Sequence, residues 1–116
     1  MEKRMVVLVR QNGLGSVAPQ DAGFGLEMFD KFLHTMESLP EKPQAICFYT
    51  EGVRLACEGS PVLFSLRLLE KMGIRMVICA SCLEFYGLKE KVAAGQVGGM
   101  KEIVQLLTGA DSVITV

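Results

Sequence analysis

Met76-Val77-Ile78-Cys79-Ala80-Ser81-Cys82-Leu83-Glu84-Phe85-Tyr86-Gly87-Leu88 is the stretch on which the rest of the chain turns. Its first residues are apolar and rich in β-branching, the mark of a buried strand. From Ala80 the pattern becomes that of a short helix, which Gly87 stops. A C-x-x-C therefore stands at the carboxyl end of a strand, where a helix opens. The free N–H groups and partial positive charge of a helix N-terminus favour a thiolate over a thiol. In an open α/β sheet, reacting groups gather outside the carboxyl ends of the strands. The competing reading makes Cys79 and Cys82 two small core residues, since unpaired cysteine is among the most buried residue types.

Working outward, Ile74 to Ile78 is one strand of several. Met5-Val6-Val7-Leu8-Val9 is a continuous apolar run, as expected of a strand covered on both faces in a parallel sheet. Ala45-Ile46-Cys47-Phe48-Tyr49 reads the same way, with Cys47 as a core residue. Leu26, Phe29, Phe32, Leu33, Met36 and Leu39 recur at helical spacing from about Phe24, and Pro40 ends that run. Ser60 as N-cap and Pro61 at the first helical position predict a second helix, which Gly73 closes. Residues 89–97 are ambiguous and leave room for a short strand. Met100, Ile103, Val104 and Leu107 mark a last helix, followed by a terminal strand, Ser112-Val113-Ile114-Thr115-Val116. Strands alternating with helices across short joints predict an α/β fold. Its expected form is a three-layer α/β/α sandwich with a mostly parallel sheet of four to five strands and right-handed crossovers.

The totals bound the function. With 116 residues the chain is expected to be one domain, 1–116, able to build a core without staples. It has 12 Lys+Arg against 13 Asp+Glu, a net charge of -1 and no basic stripe, which argues against nucleic acid as the main partner. No apolar run is long enough to span a membrane, and Met1-Glu2-Lys3-Arg4 leads directly into a strand with no signal-peptide pattern. Four cysteines without a secretory signal fit a reducing, cytoplasmic setting. Half the residues are apolar and mean hydropathy is +0.34, more than one small core should need. Seven Met and six Phe, with Phe85 and Tyr86 directly after the cysteine block, predict a homo-oligomer whose interface lies near those two aromatics.

The motifs bear on several chemistries. Gly13-Leu14-Gly15 follows the first strand but lacks the third glycine of a dinucleotide site, and no Gly-Lys-Ser/Thr is present. A thioredoxin-type site would want its C-x-x-C after an early strand and a proline downstream. Here Pro19, Pro40, Pro43 and Pro61 all precede it. Zinc would need further paired ligands, and Cys47 and Cys57 form no second C-x-x-C. His34 is the only histidine, so a Ser-His-Asp or Cys-His device would depend wholly on it. It falls off the apolar stripe beside Asp30 and Glu37, as a solvated helix-surface residue would. Neither a metal nor a cofactor is called for.

Gly52-Val53 after the second strand, Cys57-Glu58-Gly59-Ser60, the block from Cys79 to Leu88, and Val97-Gly98-Gly99-Met100 together resemble the DsrE-like family. The likeness is closest to the C-terminal domain of YedF-type proteins, called sulfurtransferase-like and linked by name to selenium metabolism. It runs over essentially the whole chain. YedF-type proteins usually carry an amino-terminal TusA-like sulfur-carrier domain, which has no counterpart in these residues. The chain is thus expected to be a stand-alone version or an excised domain, with a TusA-like carrier as a partner. In DsrE-like relay subunits a cysteine eight residues before a Gly-Val or Gly-Leu accepts persulfide sulfur. That spacing corresponds to Cys79 here, with Gly87-Leu88 as the anchor, and Cys82 belongs to the YedF-type block.

The resulting expectation is a sulfur or selenium relay protein with Cys79 and Cys82 as the reacting thiols, and Glu51, Gly52, Cys57, Ser81 and Tyr86 lining the site. Its rival is a non-catalytic oligomeric subunit that binds a partner or small ligand in a sheet-top cleft shaped by Gly13, Gly15 and Glu51. Neither the donor nor the acceptor of the sulfur is written in the residues.

Overall fold

The computed structural model describes residues 3–116. Five strands and four helices alternate: β1 (Met5–Val9), α1 (Ala22–Ser38), β2 (Ala45–Phe48), α2 (Leu63–Lys71), β3 (Arg75–Cys79), α3 (Ala80–Phe85), β4 (Gln96–Gly98), α4 (Met100–Gly109) and β5 (Ser112–Thr115). The strands form one all-parallel sheet in the order β4-β3-β2-β1-β5. The first three connections step in one direction across the sheet, and the last returns over it to the far side of β1. Right-handed crossovers then set α1 and α2 on one face and α4 on the other. The α/β reading holds, with five strands and every pairing parallel.

The central strands carry unbroken apolar runs because both their faces are covered. Val6 to Val9, Ala45 to Phe48 and Met76 to Cys79 are all buried, and Phe29, Leu33 and Leu66 pack on them from α1 and α2. The edge strand β5 is largely exposed, as is α4 apart from buried Ile103 and half-buried Glu102, Leu106 and Leu107.

One local reading needs correction. The second helix begins at Leu63, two residues beyond Pro61. Ser60 Oγ accepts a hydrogen bond from the Val62 N–H at 3.3 Å, so the Ser-Pro pair builds a turn before the helix and does not cap it. The segment after β2 is a seven-residue 3₁₀ helix, Thr50–Ala56. The stretch before α4 holds the short strand for which its sequence left room, the three-residue β4.

A pair of expected outcomes tests this packing. Gly52 lies so close to β1 that an added Cβ would sit 2.3 Å from the Val9 carbonyl oxygen. The neighbour is backbone and cannot swing aside, so Gly52→Ala should cost about 1–3 kcal/mol in chemical denaturation; an unchanged midpoint would contradict the close approach. Cys47, fully buried on β2, has its thiol pushed up from 9.0 to about 11 by burial, partly offset by the Arg75 charge. The unfolded chain releases this proton near pH 9 while the folded chain keeps it. Stability fully present below pH 9 is therefore lost as pH rises through 11, by roughly 3 kcal/mol from this group. Denaturation between pH 8 and 11 should show a shallower alkaline decline in Cys47→Ala than in the parent.

Candidate functional site

The carboxyl ends of β1, β2 and β3 lie side by side, and the site is assembled there. Tyr49, the residue after β2, donates its N–H to the Val9 carbonyl at 3.1 Å, which draws the chain over the end of β1. Gly52, whose N–H bonds the Tyr49 carbonyl at 3.0 Å, completes the turn in the space only a glycine can use. Between them Thr50 is held at φ +47°, the only described non-glycine residue with a positive φ. For a β-branched residue this conformation is strained by about 1–3 kcal/mol and persists only where its surroundings over-determine it. The Thr50 hydroxyl donates to the carbonyls of Arg10, at 2.9 Å, and Tyr49, at 2.8 Å. Its backbone N–H is thereby aimed at Cys82 Sγ, 3.0 Å away.

The two thiols differ in setting. Cys79 ends β3 as the N-cap of α3 and is 1 % exposed. Cys82, the third residue of α3, is partly exposed. Burial pushes the Cys82 thiol up, hydrogen bonding with the Cys79 side chain pushes it further, the Thr50 N–H opposes them, and the Cys79 charge adds a last upward push. The thiolate-favouring environment expected of a helix start is thus not what Cys82 experiences. α3 has only six residues, and one N–H donor does not compensate for the water displaced by the 3₁₀ segment packed against it.

The remaining expected residues are brought only partly together. Ser81 is exposed on the first turn of α3 beside the thiols. Tyr86 closes the helix, half-buried, with the Arg54 guanidinium 4.4 Å from its ring centre and Phe85 edge-on at 5.1 Å. Gly52 shapes the turn. Glu51 lines a neighbouring cleft of about 390 Å³ with Gly13, Gly15, Ser16 and Pro19, and neither thiol does. Cys57 is buried, its thiol donates to the Val53 carbonyl at 3.2 Å, and burial raises its pKa despite the Arg54 charge. It supports the 3₁₀ segment from within. A larger cleft of about 490 Å³ lies at the amino ends of the strands, between Arg4, Lys42 and Gln44, and contains no cysteine.

Away from this end, His34 is half-exposed on α1, 3.4 Å from Asp30 and 3.7 Å from Glu37, and its Nε2 lies 3.2 Å from Ser65 Oγ on α2. Ser65 is buried and donates to Asp30 at 2.7 Å, so this group clasps α1 to α2. Among the described residues no three His, Cys, Asp or Glu side chains are grouped to hold a metal ion. Nor is any helix long and apolar enough to cross a membrane. Thr50 is the functional residue that the sequence did not disclose. A threonine in the left-handed region has no sequence signal; Gly52 two residues on was the only cue to an unusual turn.

The sequence matches the model of the DsrE/DsrF-like family over residues 25–116, which takes in the whole thiol site. No curated protein matches. Among solved structures, the YchN protein of E. coli superposes with a TM-score of 0.67 at 15% identity, covering 98% of this chain and 99% of that one. MTH1491 of Methanobacterium thermoautotrophicum, a protein of unknown function, gives 0.68 at 17% identity over 99% and 100% of the two chains. BT1422 of Bacteroides thetaiotaomicron, a conserved protein of unknown function, gives 0.64 at 14% over 97% and 94%. These likenesses share the fold. Taken with the family match over most of its length, they place the chain plainly: it belongs to the DsrE/DsrF-like family.

Proposed function

We propose that this chain is a sulfur relay protein in which Cys82 accepts a sulfane sulfur as a persulfide, with Cys79 as the partner thiol behind it. The observation that carries the reading is the Thr50 N–H, aimed by strained backbone at the one thiol of the pair that reaches the surface. These roles are the reverse of those implied by the spacing to Gly87-Leu88, because a cysteine 1 % exposed offers an external donor no access. In the transfer, Cys82 sulfur attacks the outer sulfur of a donor persulfide R–S–SH. The donor S–S bond breaks, R–S⁻ leaves and takes up the Cys82 proton, and Cys82–S–SH remains. A raised thiol pKa slows the attack at neutral pH and so leaves the acceptor quiet until a donor docks. The persulfide is more acidic than the thiol, and the Thr50 N–H is placed to bond its inner sulfur.

Donor chemistry fits a small cysteine-bearing carrier of the TusA-like kind, and selenium in place of sulfur would follow the same attack, as the YedF-type likeness of residues 79–88 suggests. A second reading, a binding subunit, draws support from the cleft where Gly13, Gly15 and Glu51 meet. On that reading neither thiol is needed.

We also propose self-association through the aromatic end of α3. The Phe85 ring is 83 % exposed, an unusual position for a phenylalanine, and Met100 and Val104, one turn apart on α4, form a further exposed apolar stripe.

Two measurements check these proposals. After exposure to a small-molecule persulfide and desalting, Cys79→Ser should gain about 32 Da, one sulfur, in intact mass, and Cys82→Ser should not. Sulfur on Cys79 instead would overturn the assignment, and none on either would favour the binding subunit. Light scattering across a micromolar dilution series should show an oligomer that Phe85→Glu dissociates without change in circular dichroism; a monomeric parent would remove the association.

A further inference from the structure

We infer that Cys79 discharges the Cys82 persulfide as hydrogen sulfide, leaving a Cys79–Cys82 disulfide, so that the site releases sulfur as well as accepting it. This rests on the relay reading above and adds to it a second half-reaction.

The placement of the two cysteines carries the inference. Cys79 is the residue before α3 and Cys82 the third within it, so they stand one turn apart on the same side of the helix. The helical rise and radius set Cα atoms three residues apart about 5 Å from each other, inside the range of about 4.4–6.8 Å that a disulfide spans without backbone movement. Cys79 is sealed from solvent, between the end of β3 and the first turn of α3. No donor reaches it from outside, and the side chain it meets is Cys82, whose pKa it raises. The other two cysteines are committed elsewhere: Cys47 is fully buried in mid-strand, and the Cys57 thiol is bonded to the Val53 carbonyl. Cys79 is thus a nucleophile with one reachable electrophile. When Cys82 carries a persulfide, its inner sulfur occupies the present Sγ position beside Cys79, and its outer sulfur projects away.

The step balances without an added oxidant. Cys79–SH attacks the inner sulfur of Cys82–S–SH; the Sγ–Sγ bond forms, the sulfur–sulfur bond to the outer atom breaks, and the outer sulfur leaves as HS⁻. The Cys79 proton passes to it, giving hydrogen sulfide. The sulfane sulfur is reduced and the two thiols are oxidised to the disulfide. A second turnover then requires a dithiol reductant, which takes the disulfide by exchange at Cys82, the exposed member. A persulfide-forming reaction must therefore supply this site, and a sulfide-consuming reaction must follow it.

The test compares the reduced parent with Cys79→Ser and Cys79→Ala, the second in case serine is not tolerated in the buried position. Each is mixed with one equivalent of cysteine persulfide under nitrogen, sulfide is trapped and quantified, and intact mass is taken before and after alkylation. The parent should release about one equivalent of sulfide above the variants, lose about 2 Da and resist alkylation at both cysteines, while the variants should hold about +32 Da at Cys82. A parent that keeps the extra sulfur as the variants do, with Cys79 still reduced, overturns this inference and leaves the relay reading intact. Variants that gain no sulfur sink the relay reading and this one together. Dithiothreitol should restore the parent for a second, equal release of sulfide.

Discussion

The site depends on one close approach of backbone to backbone, that of Gly52 to the carbonyl of Val9. β1 and β2 lie in register, Val9 opposite Phe48, so the chain leaving β2 must turn over the end of β1 or run out into solvent. The Tyr49 N–H bond to Val9 begins the turn, and the missing Cβ of Gly52 lets it close. What lies between has no freedom left. Thr50 is driven into the left-handed region, its hydroxyl lies within hydrogen-bond reach of the Arg10 and Tyr49 carbonyls, and its N–H is the group left to face α3. Strain of about 1–3 kcal/mol at one residue is offset by these bonds and by the burial of Val53, Leu55 and Ala56 in the segment that follows.

At the thiols two opposing effects meet. Packing the 3₁₀ segment against α3 brings the Thr50 donor to Cys82, and the same packing removes water from it. Desolvation is the larger effect, and the Cys82 thiol is held above its ordinary range. A free thiolate at this position would react with any oxidant or electrophile in solution. A thiol held in its neutral form by loss of water is a much weaker nucleophile, so the packing that brings the donor also quiets the sulfur. Ion pairs contribute little at this end; Arg4–Asp111, Arg75–Glu102, Lys91–Glu58 and the His34 pairs with Asp30 and Glu37 lie elsewhere on the surface.

Identities of 14–17% to the solved structures with the same sheet show how few positions the architecture fixes. A parallel sheet needs apolar strands, helices with one apolar side and short joints, and many sequences supply these. What the strand ends carry is a separate matter, so the chemistry is argued from Thr50, Cys79 and Cys82 and not from the fold.

The sequence by itself determined the layered α/β form, because apolar runs five residues long and helical stripes are local patterns that solvent exclusion reads directly. It also determined that Cys79 and Cys82 would stand where β3 gives way to α3, since that boundary lies within the quoted block. Only the tertiary structure decided which of the two meets solvent, because exposure there depends on what segments from other parts of the fold lie across it. It alone decided that Cys57, read as part of the site, turns inward to Val53, and that Glu51 faces a separate cleft. Thr50 marks the limit most clearly. Its backbone conformation is imposed by a carbonyl 41 residues earlier in the chain and answered by a sulfur 32 residues later, and no property of threonine announces either contact.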